Sequence, residues 1–511
     1  MGNDTGWLRG RWHRASSGRR VATVFAALLV ATAVVTTLGV GTQPVYPEWS
    51  EGDQLLGDLR IAPEGELWST DLAAIHGTPL PEGCRGMRPV GEIGGDAVIV
   101  SSATAYDGCD GSVALLARVD PATGEARWVV DLASRLGESG LYMNMFRDDE
   151  GPLATVVGQS APSSRAVRVD LDSGAVLADV IGADDEAGPA QQMSGIASGR
   201  MLVALQPRDR VSDDGLDLEY SDGETTPYRL VDVDDPDTAI WSGDVGTSDT
   251  PLLLGSYLVV ESTDGPVVID AASGDQHPVP GGAATIENAG VSGDLLVATV
   301  TTRAGEREAM ALDRSGALVW STPLELTETV TVTDDCIVLD QAPATLECLS
   351  ADDGASRWKR VLDLDDDYAA RVDAYQQVVG GGTIVVNAGS AEAGAADLEG
   401  QNPTTLLGLS PATGETTFSA EVPALSYLAG LARTVGFSNA YVGQDFSQTM
   451  VTAFDLSDGR RLWQQRSPSR GTLDFWAGAL VAVDADGVAH GLRTQADVVP
   501  PTADAATSPL G

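Results

Sequence analysis

The chain has 511 residues, long enough for several ordinary domains or one repeat array, and its 58 glycines, 26 prolines and 5% aromatic residues favour a turn-rich β protein. This composition argues against a helical bundle and against a disordered chain. The net charge of −43, from 31 basic and 74 acidic side chains, repels phosphate groups, so nucleic acid is excluded as an expected partner.

The amino-terminal segment predicts how the chain meets a membrane. Residues 1–20 carry five arginines and a single acidic residue, and the uncharged apolar stretch over 21–41 is long enough for a helix to cross about 30 Å of hydrocarbon. By the positive-inside rule the basic arm is cytoplasmic, and the chain after a linker over 42–54 is extracytoplasmic. The main alternative is a cleavable signal peptide with Gly39 and Gly41 near its cleavage site. We therefore expect a single-pass protein of the cell membrane.

A short motif recurs along the rest of the chain. Each copy has a β-rich run, an Asp or Ser, a small turn with Gly, and often an aromatic residue on the following strand. The eight copies are VDPATGEARW (119–128), VDLDSGAVL (169–177), VDVDDPDTAIW (231–241), IDAASGDQ (269–276), LDRSGALVW (312–320), LSADDGASRW (349–358), LSPATGETTF (409–418) and FDLSDGRRLW (454–463). A partial copy, IAPEGELW, ends at Trp68. The spacing leaves room for four short strands in each repeat.

The residue types in the motif predict its structural roles. Asp or Ser is expected to accept a hydrogen bond from its own turn, and Gly supplies the positive φ that a tight hairpin needs. The aromatic side chain is expected to pack against the neighbouring repeat. We assign docking between repeats to Trp68, Trp128, Trp241, Trp320, Trp358 and Trp463 and to the turn glycines Gly124, Gly174, Gly274, Gly316, Gly354, Gly414 and Gly459.

Four antiparallel strands cannot bury both faces alone, and radial repetition into a β-propeller solves this with few open edges. The fullest copy, LLARVDPATGEARW, resembles the PQQ-like (pyrrolo-quinoline quinone-like) repeat of the quinoprotein alcohol dehydrogenase-like fold, here in a membrane-anchored bacterial form. The resemblance implies an all-β propeller of four-stranded antiparallel blades over 55–495, preceded by one transmembrane α-helix. Nine units can be counted, and we prefer eight blades within a range of seven to nine, because propellers typically have four to eight.

The two ends of the propeller are expected to share one blade. The segment ALVAVDADGVAHGL (479–492) has the pattern of inner strands that lack an outermost one, and the strand around ELWSTDL (66–72) can supply it. Residues 496–511, rich in Pro and Ala, are expected to form a disordered tail.

The four cysteines predict two disulfides in an oxidising compartment, because their number is even and they lack the C-x-x-C spacing of zinc sites. Cys336 and Cys348 face each other directly if the hairpin between them is centred on Ala342. The remaining pair, Cys84 and Cys109, is expected to form the second bridge.

Catalytic motifs are absent from the sequence. It contains no H-E-x-x-H, no G-x-S-x-G and no P-loop, and its histidines, His13, His76, His277 and His490, are scattered. The acidic runs 232–237 and 363–367 lack EF-hand spacing and are interpreted as solvated turns. Quinoprotein dehydrogenases would imply PQQ, calcium, a carboxylate base and adjacent cysteines. No two cysteines are adjacent here, and no residues can be assigned as base or calcium ligands, so we expect no catalytic, cofactor or metal site.

Topology predicts where binding occurs. With the strands of a blade lettered A to D, the longest insertions, 207–227 and 390–403, interrupt B–C connections, which share one end of a propeller with the links between blades. Within the first, Arg208, Arg210 and Tyr220 are candidate contacts for an unknown envelope protein or small ligand. The predicted function is a non-catalytic interaction scaffold or ligand-binding module, and the alternatives are a quinoprotein-like oxidoreductase using PQQ and an envelope assembly factor.

Overall fold

The structure, a computed structural model, describes residues 56–494 apart from 78–85, 103–113, 138–141, 149–150, 161–162, 183–188, 207–224, 247–250, 263–264, 326–328, 334–335, 342–343, 363–367, 373–382, 391–403, 424–425, 443–447 and 469–470. The predicted basic arm, transmembrane helix, linker and tail lie outside these residues. Within them are two short helices, α1 (Leu72–His76) and α2 (Ala133–Leu136), and neither has the length or apolar character needed to cross a bilayer.

The described residues form nine four-stranded antiparallel sheets, the blades of a propeller. Blade 1 contains β2 (Gly86–Ile93), β3 (Asp96–Ser102), β4 (Ala114–Val119) and β5 (Ala126–Asp131); blade 2 contains β6 (Tyr142–Arg147), β7 (Leu153–Ser160), β8 (Ser163–Asp170) and β9 (Val176–Ile181); blade 3 contains β10 (Ala190–Ala197), β11 (Arg200–Gln206), β12 (Thr225–Asp232) and β13 (Asp235–Gly246). Blade 4 contains β14 (Leu252–Leu254), β15 (Tyr257–Val260), β16 (Val267–Asp270) and β17 (Gln276–Pro278); blade 5 contains β18 (Ala283–Ser292), β19 (Leu295–Thr302), β20 (Arg307–Leu312) and β21 (Leu318–Leu324); blade 6 contains β22 (Thr329–Val332), β23 (Ile337–Gln341), β24 (Thr345–Leu349) and β25 (Ser356–Val361). Blade 7 contains β26 (Tyr368–Val372), β27 (Ile384–Ser390), β28 (Thr404–Leu409) and β29 (Thr416–Val422); blade 8 contains β30 (Ser426–Leu431), β31 (Val435–Val442), β32 (Gln448–Asp455) and β33 (Arg461–Arg466).

Blade 9 closes the ring with strands from both ends of the chain. Its strands β34 (Thr472–Trp476), β35 (Ala479–Val483) and β36 (Ala489–Leu492) are completed by β1 (Glu66–Thr70), which pairs antiparallel with β36. The predicted sharing of one blade by the two ends is therefore confirmed.

The first strand of each blade, strand A, lies nearest the propeller axis. Strand A of one blade contacts strand A of the next at several junctions, and β2 of blade 1 contacts β34 of blade 9. The apolar core lies between blades: one cluster joins Val98 and Leu116 of blade 1 to Val156 and Val167 of blade 2. Both faces of the inner strands are therefore buried between neighbouring blades, as the repeat predicted.

The blade count is nine, at the upper end of the predicted range and one above the preferred eight. Every counted unit forms its own sheet, and none is an excursion from the propeller. Blade 4 is the smallest, because β14 and β17 have three residues each.

The turn chemistry also follows the prediction. In blade 1 the Oδ1 atom of Asp120 accepts a hydrogen bond from the N–H of Ala122 at 2.9 Å, and the N–H of Gly124 donates to the carbonyl of Asp120 at 2.8 Å. Gly124 has φ +72°, a conformation that other residues rarely adopt. In blade 2 the N–H of Ser173 holds the pKa of Asp170 below its usual value.

A disulfide joins Cys336 and Cys348, with a Cα–Cα distance of 5.6 Å. The expected register was wrong by two positions, because Cys348 pairs with Val338 and not with Cys336. Cys336 precedes β23, in the turn where its carbonyl accepts the N–H of Thr333, so the bridge runs diagonally within blade 6. Cys84 and Cys109 lie outside the described residues.

Candidate interaction site

The tryptophans of the repeat lie at junctions between blades. At junction 6/7 the indole Nε1–H of Trp358 donates to the carbonyl of Pro411 at 2.8 Å, and a Cβ added at Gly414 would lie 2.6 Å from the ring. Trp320 makes the same bond to Ala351 at 2.7 Å. Trp68 and Trp128 likewise donate to Pro121 and Leu171, at 3.0 and 3.1 Å, and lie against Gly124 and Gly174, as Trp320 does against Gly354. Glycine at the turn is required by close approach as well as by φ.

Three of the assigned glycines meet a different neighbour. Gly274 faces the Ile240 carbonyl instead of a tryptophan ring, because the spacing in blade 3 is different. Trp241 lies nine residues after its turn aspartate, whereas Trp128 lies eight residues after its own. Trp241 still packs in the core between blades 3 and 4. Gly316 lies against His277, and Gly459 lies against the Ser419 backbone beside Phe418.

Trp463 is the exception at the closing blade. Its indole donates to the carbonyl of Leu59 at 2.7 Å, in the segment that precedes β1. The chain ends meet where other blades have a C–D turn: Glu64 N–H donates to the Arg493 carbonyl at 3.0 Å and Arg493 N–H to the Gly65 carbonyl at 3.1 Å. The amino-terminal segment therefore replaces the missing turn.

Junction 2/3 uses an arginine that the sequence analysis missed. Ala178 occupies the position of the docking tryptophan and is exposed. Arg168, 3% exposed, donates from Nη1 to Asp148 at 2.7 Å and from Nε to Asp234 of blade 3 at 2.9 Å. Arg118 bridges blades 1 and 2 in the same way, through Asp96 and Asp172. The sequence contains a pattern that could have identified both arginines. Each lies two residues before its turn aspartate, in A-R-V-D and V-R-V-D.

These junction residues hold the fold and leave no reactive groups free. The three described histidines lie in different elements. His76 ends α1, and His277 packs at a junction. His490 lies between Glu66 and Asp484 at the closure, with N···O distances of 3.1 and 3.2 Å.

The end with the B–C connections carries most of the long segments. The connections 103–113, 207–224 and 391–403 are all of this type, while 373–383 in blade 7 is a long A–B connection at the opposite end. Strand β12 begins at Thr225, so residues 225–227 belong to it and not to the predicted insertion. Arg208, Arg210 and Tyr220 lie outside the described residues.

Two exposed tyrosines contact each other at the same end, on blade 8. We define the tyrosine pair as Tyr427 and Tyr441. Tyr427 is in β30 and Tyr441 is in β31. The two tyrosine rings have centroids 6.4 Å apart at 39°. Sequence analysis did not select these residues, because nothing in the motif shows which strand faces which.

A cleft of about 370 Å³ lies at the opposite end, against blades 2 to 4. Its lining includes Phe146, Asp148, Thr155 and Ser198. The Asp148 carboxylate is already bound to Arg168, so this cleft offers no free charged group from that pair.

The described residues do not fit the cofactor of quinoprotein dehydrogenases. They contain no group of three or more His, Cys, Asp or Glu side chains placed to hold a metal ion. The disulfide found here links residues twelve positions apart, not adjacent cysteines. No reaction step through PQQ or calcium is therefore derived.

Comparison with known proteins identifies the family. The sequence matches the PQQ_2 family, described as outer membrane protein assembly factor BamB, over residues 227–424 and 305–487. Among curated proteins, none matches. The solved structures that resemble the chain include BamB from Moraxella catarrhalis, 12% identical over 81% of this chain and 98% of that one, with a TM-score of 0.35.

Quinohemoprotein alcohol dehydrogenases are also similar in structure. ADHIIG from Pseudomonas putida HK5 is 12% identical over 84% of this chain and 75% of that one, and the enzyme from Comamonas testosteroni is 11% identical over 88% and 80%; both have TM-scores of 0.39. The family match spans about half of the chain, and the chain belongs to the PQQ-like β-propeller family described as outer membrane protein assembly factor BamB.

Proposed function

We propose that the chain is a non-catalytic interaction scaffold of the cell envelope, held at the membrane by the helix over 21–41 with its propeller on the extracytoplasmic side. The observation that carries the proposal is the grouping of the connections 103–113, 207–224 and 391–403 at one end of a rigid propeller. Loops on a rigid frame are where binding usually occurs. The family's description as an assembly factor supports a role with other envelope proteins.

Copurification tests this function. The full chain is purified from membranes after crosslinking, beside a variant in which an Asn-Gly turn replaces 207–224. The matched control shortens 373–382, a connection of the opposite end, in the same way. Loss of a specific envelope partner only from the first variant supports the proposal. Equal recovery of partners by both variants contradicts it.

Native mass spectrometry distinguishes the scaffold from a quinoprotein oxidoreductase. The full chain in detergent is measured with and without added PQQ and calcium, together with its absorbance. We expect an unchanged mass. A stoichiometric quinone adduct would replace the scaffold proposal with PQQ-dependent oxidation and direct mutagenesis to the propeller axis.

The membrane anchor has a separate test. We expect the chain to resist extraction by alkaline carbonate, and the propeller to be digested by protease added outside intact spheroplasts. Release into the soluble fraction with a mature amino-terminus near Gly41 would identify a cleaved signal peptide instead.

A further inference from the structure

The cleft against blades 2 to 4 has an apolar wall beside a row of polar groups. Its volume of about 370 Å³ lies at the lower end of the range for small-molecule sites, about 300–1,000 Å³. Phe146 and Ile196 line it, and both belong to the partly buried apolar side chains packed between blades 2 and 3. Phe146 pairs with Thr155 across β6 and β7, so the two side chains lie on the same face of blade 2. A ligand in the cleft would therefore meet an aromatic ring and a hydroxyl group together.

The polar groups of the cleft are held in place before a ligand binds. Arg168 is 3% exposed, and its Nη1 donates to Asp148 Oδ1 at 2.7 Å and to the Thr155 hydroxyl at 3.4 Å. Each carboxylate oxygen of Asp148 accepts one hydrogen bond from Arg168 and has capacity for another. The Thr155 hydroxyl still has its own hydrogen to donate. The row therefore offers acceptors and a donor in fixed positions, which lowers the entropy lost on binding.

Ser198 brings a second hydroxyl to the cleft from a strained turn. It is exposed, lines the cleft and has φ +46° at the first position of a two-residue A–B turn, where Gly199 follows at φ +71°. Turns of this kind favour Gly, Asn or Asp at the first position. The other two-residue A–B turns of the described residues have glycine or alanine there: Gly94, Gly255, Gly293 and Ala477. A serine kept in this conformation beside a cleft indicates a role for its side chain.

The described charges around the cleft already have partners. Arg168 lies between Asp148 and Asp234. Arg147 also lines the cleft, but its guanidinium reaches towards blade 1 and donates to the Glu92 carbonyl at 2.9 Å. An anionic ligand would meet the Asp148 carboxylate, and a cationic ligand would compete with Arg168 for the same oxygens. A neutral ligand that carries hydrogen-bonding groups avoids both costs.

We propose that this cleft binds a neutral sugar, as a monosaccharide or as one unit of a glycan. The C–H groups on one face of a pyranose ring pack against the face of an aromatic ring, here Phe146. Sugar hydroxyls both donate and accept, so they can donate to Asp148 and accept from Thr155 and Ser198. A purely apolar ligand would instead leave these polar groups without partners. The cleft lies at the end opposite the B–C connections, so the proposal goes beyond the scaffold function and does not depend on it.

Saturation-transfer NMR tests the proposal on the full chain, in a detergent whose headgroup is not a sugar. The neutral probes are glucose, galactose, mannose and N-acetylglucosamine, and the charged counterparts are glucosamine and glucuronate. We expect saturable binding of at least one neutral probe, and weaker binding of both charged counterparts. Absence of binding for all four neutral probes would overturn the proposal. Tighter binding of a charged counterpart than of every neutral probe would overturn it as well.

Two variants test whether the sugar binds in the cleft. Ser198→Gly removes the hydroxyl and relieves the positive φ, so it should fold at least as stably as wild type and weaken binding about fivefold, the loss of one hydrogen bond. The matched control is Ala477→Gly, at the same turn position in blade 9, which should leave binding unchanged. Phe146→Leu keeps the wall apolar but removes the ring, and should weaken binding up to about tenfold. Unchanged binding by Ser198→Gly and Phe146→Leu would overturn the proposal, because the sugar would then bind elsewhere.

A glycan chain and a free sugar share this chemistry, and the length of the probe separates them. The neutral sugar that binds is compared with its linear tetramer on wild type and on Phe146→Leu. Tighter binding of the tetramer, weakened by Phe146→Leu, supports a glycan chain as the ligand. Equal affinity of monomer and tetramer, weakened by the same variant, supports a free sugar or a chain end. Tetramer binding that is indifferent to Phe146→Leu would place the glycan outside the cleft and contradict the proposal.

Discussion

Junctions 6/7 and 8/9 of the same propeller are built differently. At junction 6/7, Trp358 is 8% exposed, its Nε1–H is bonded to Pro411, and the Cys336–Cys348 disulfide lies in the same buried cluster. At junction 8/9, Tyr427 and Tyr441 of blade 8 are 36% and 52% exposed, and Trp463 donates to the Leu59 carbonyl instead of to a C–D turn. Junction 6/7 buries its aromatic side chain between blades, whereas junction 8/9 leaves two aromatic side chains in contact with solvent.

The difference follows from where the ring closes. Blade 9 takes β1 from the amino-terminal side, so it lacks the continuous C–D turn against which a tryptophan docks elsewhere. Trp463 bonds to Leu59 instead, and β34 is held by Asn439 and Thr449 nearer the axis. The departure from the repeat therefore occurs where the ring closes.

The largest expected effect is at junction 6/7. Replacing Trp358 with Ala removes a buried indole and its hydrogen bond, and should lower the free energy of unfolding by about 3–5 kcal/mol in urea denaturation. The comparison variant is Tyr441→Ala at junction 8/9, where the exposed ring should contribute less than about 0.5 kcal/mol. Similar losses for the two variants would show that the junctions do not differ in this way.

Removing the disulfide weakens the same blade. Cys336→Ala/Cys348→Ala opens a loop with a sequence separation of 12, and the variant should lose about 3 kcal/mol relative to the oxidised protein. Both cysteines are fully buried, so reductant should act on the protein only after unfolding begins. Urea unfolding of the wild type with and without dithiothreitol measures the stabilisation by the disulfide. Identical midpoints in the two conditions would contradict the predicted stabilisation.

Junction 2/3 is held by charge. Arg168→Met leaves Asp148 and Asp234 without their shared cation, and should cost about 1–3 kcal/mol, less than a fully buried pair because both carboxylates are partly exposed. Arg314→Met is the control, since its pair with Asp294 is exposed and should contribute about 0–0.5 kcal/mol. A loss at Arg168 no larger than at Arg314 would rule out a bridging role.

The repeated parts of this fold could be predicted because their causes are local. Short sequence patterns predict the Asp120 turn, the positive φ of Gly124 and the pairing of β1 with the last blade. Strand register was harder to predict. Cys336 belongs to the turn that precedes β23, so Cys348 pairs with Val338 and not with Cys336 as expected.

The tyrosine pair could not be predicted from the motif. Tyr427 and Tyr441 meet only because β30 pairs with β31 in the observed register. Arg168 lies between these cases, since its motif is local while its partner Asp234 lies one blade away. Long-range contacts, not propensities, decide such positions.

The smallest expected effect is the pH dependence of stability caused by Asp474. Its sign is opposite to that of an aspartate whose charge stabilises the fold. The pKa of Asp474 is raised in the folded protein by burial, so ionisation opposes folding, and stability falls as pH rises from the unfolded value near ~3.9 through the folded value. Asp474→Asn should therefore be more stable than wild type at pH 7, with the difference vanishing below about pH 4. For Asp313, whose pKa is lowered by the Ser315 hydroxyl, the pH-dependent difference should have the opposite sign. Thermal unfolding across pH 4–8 compares them. If Asp474→Asn is instead destabilising at pH 7, the carboxylate supports the fold and this prediction is wrong.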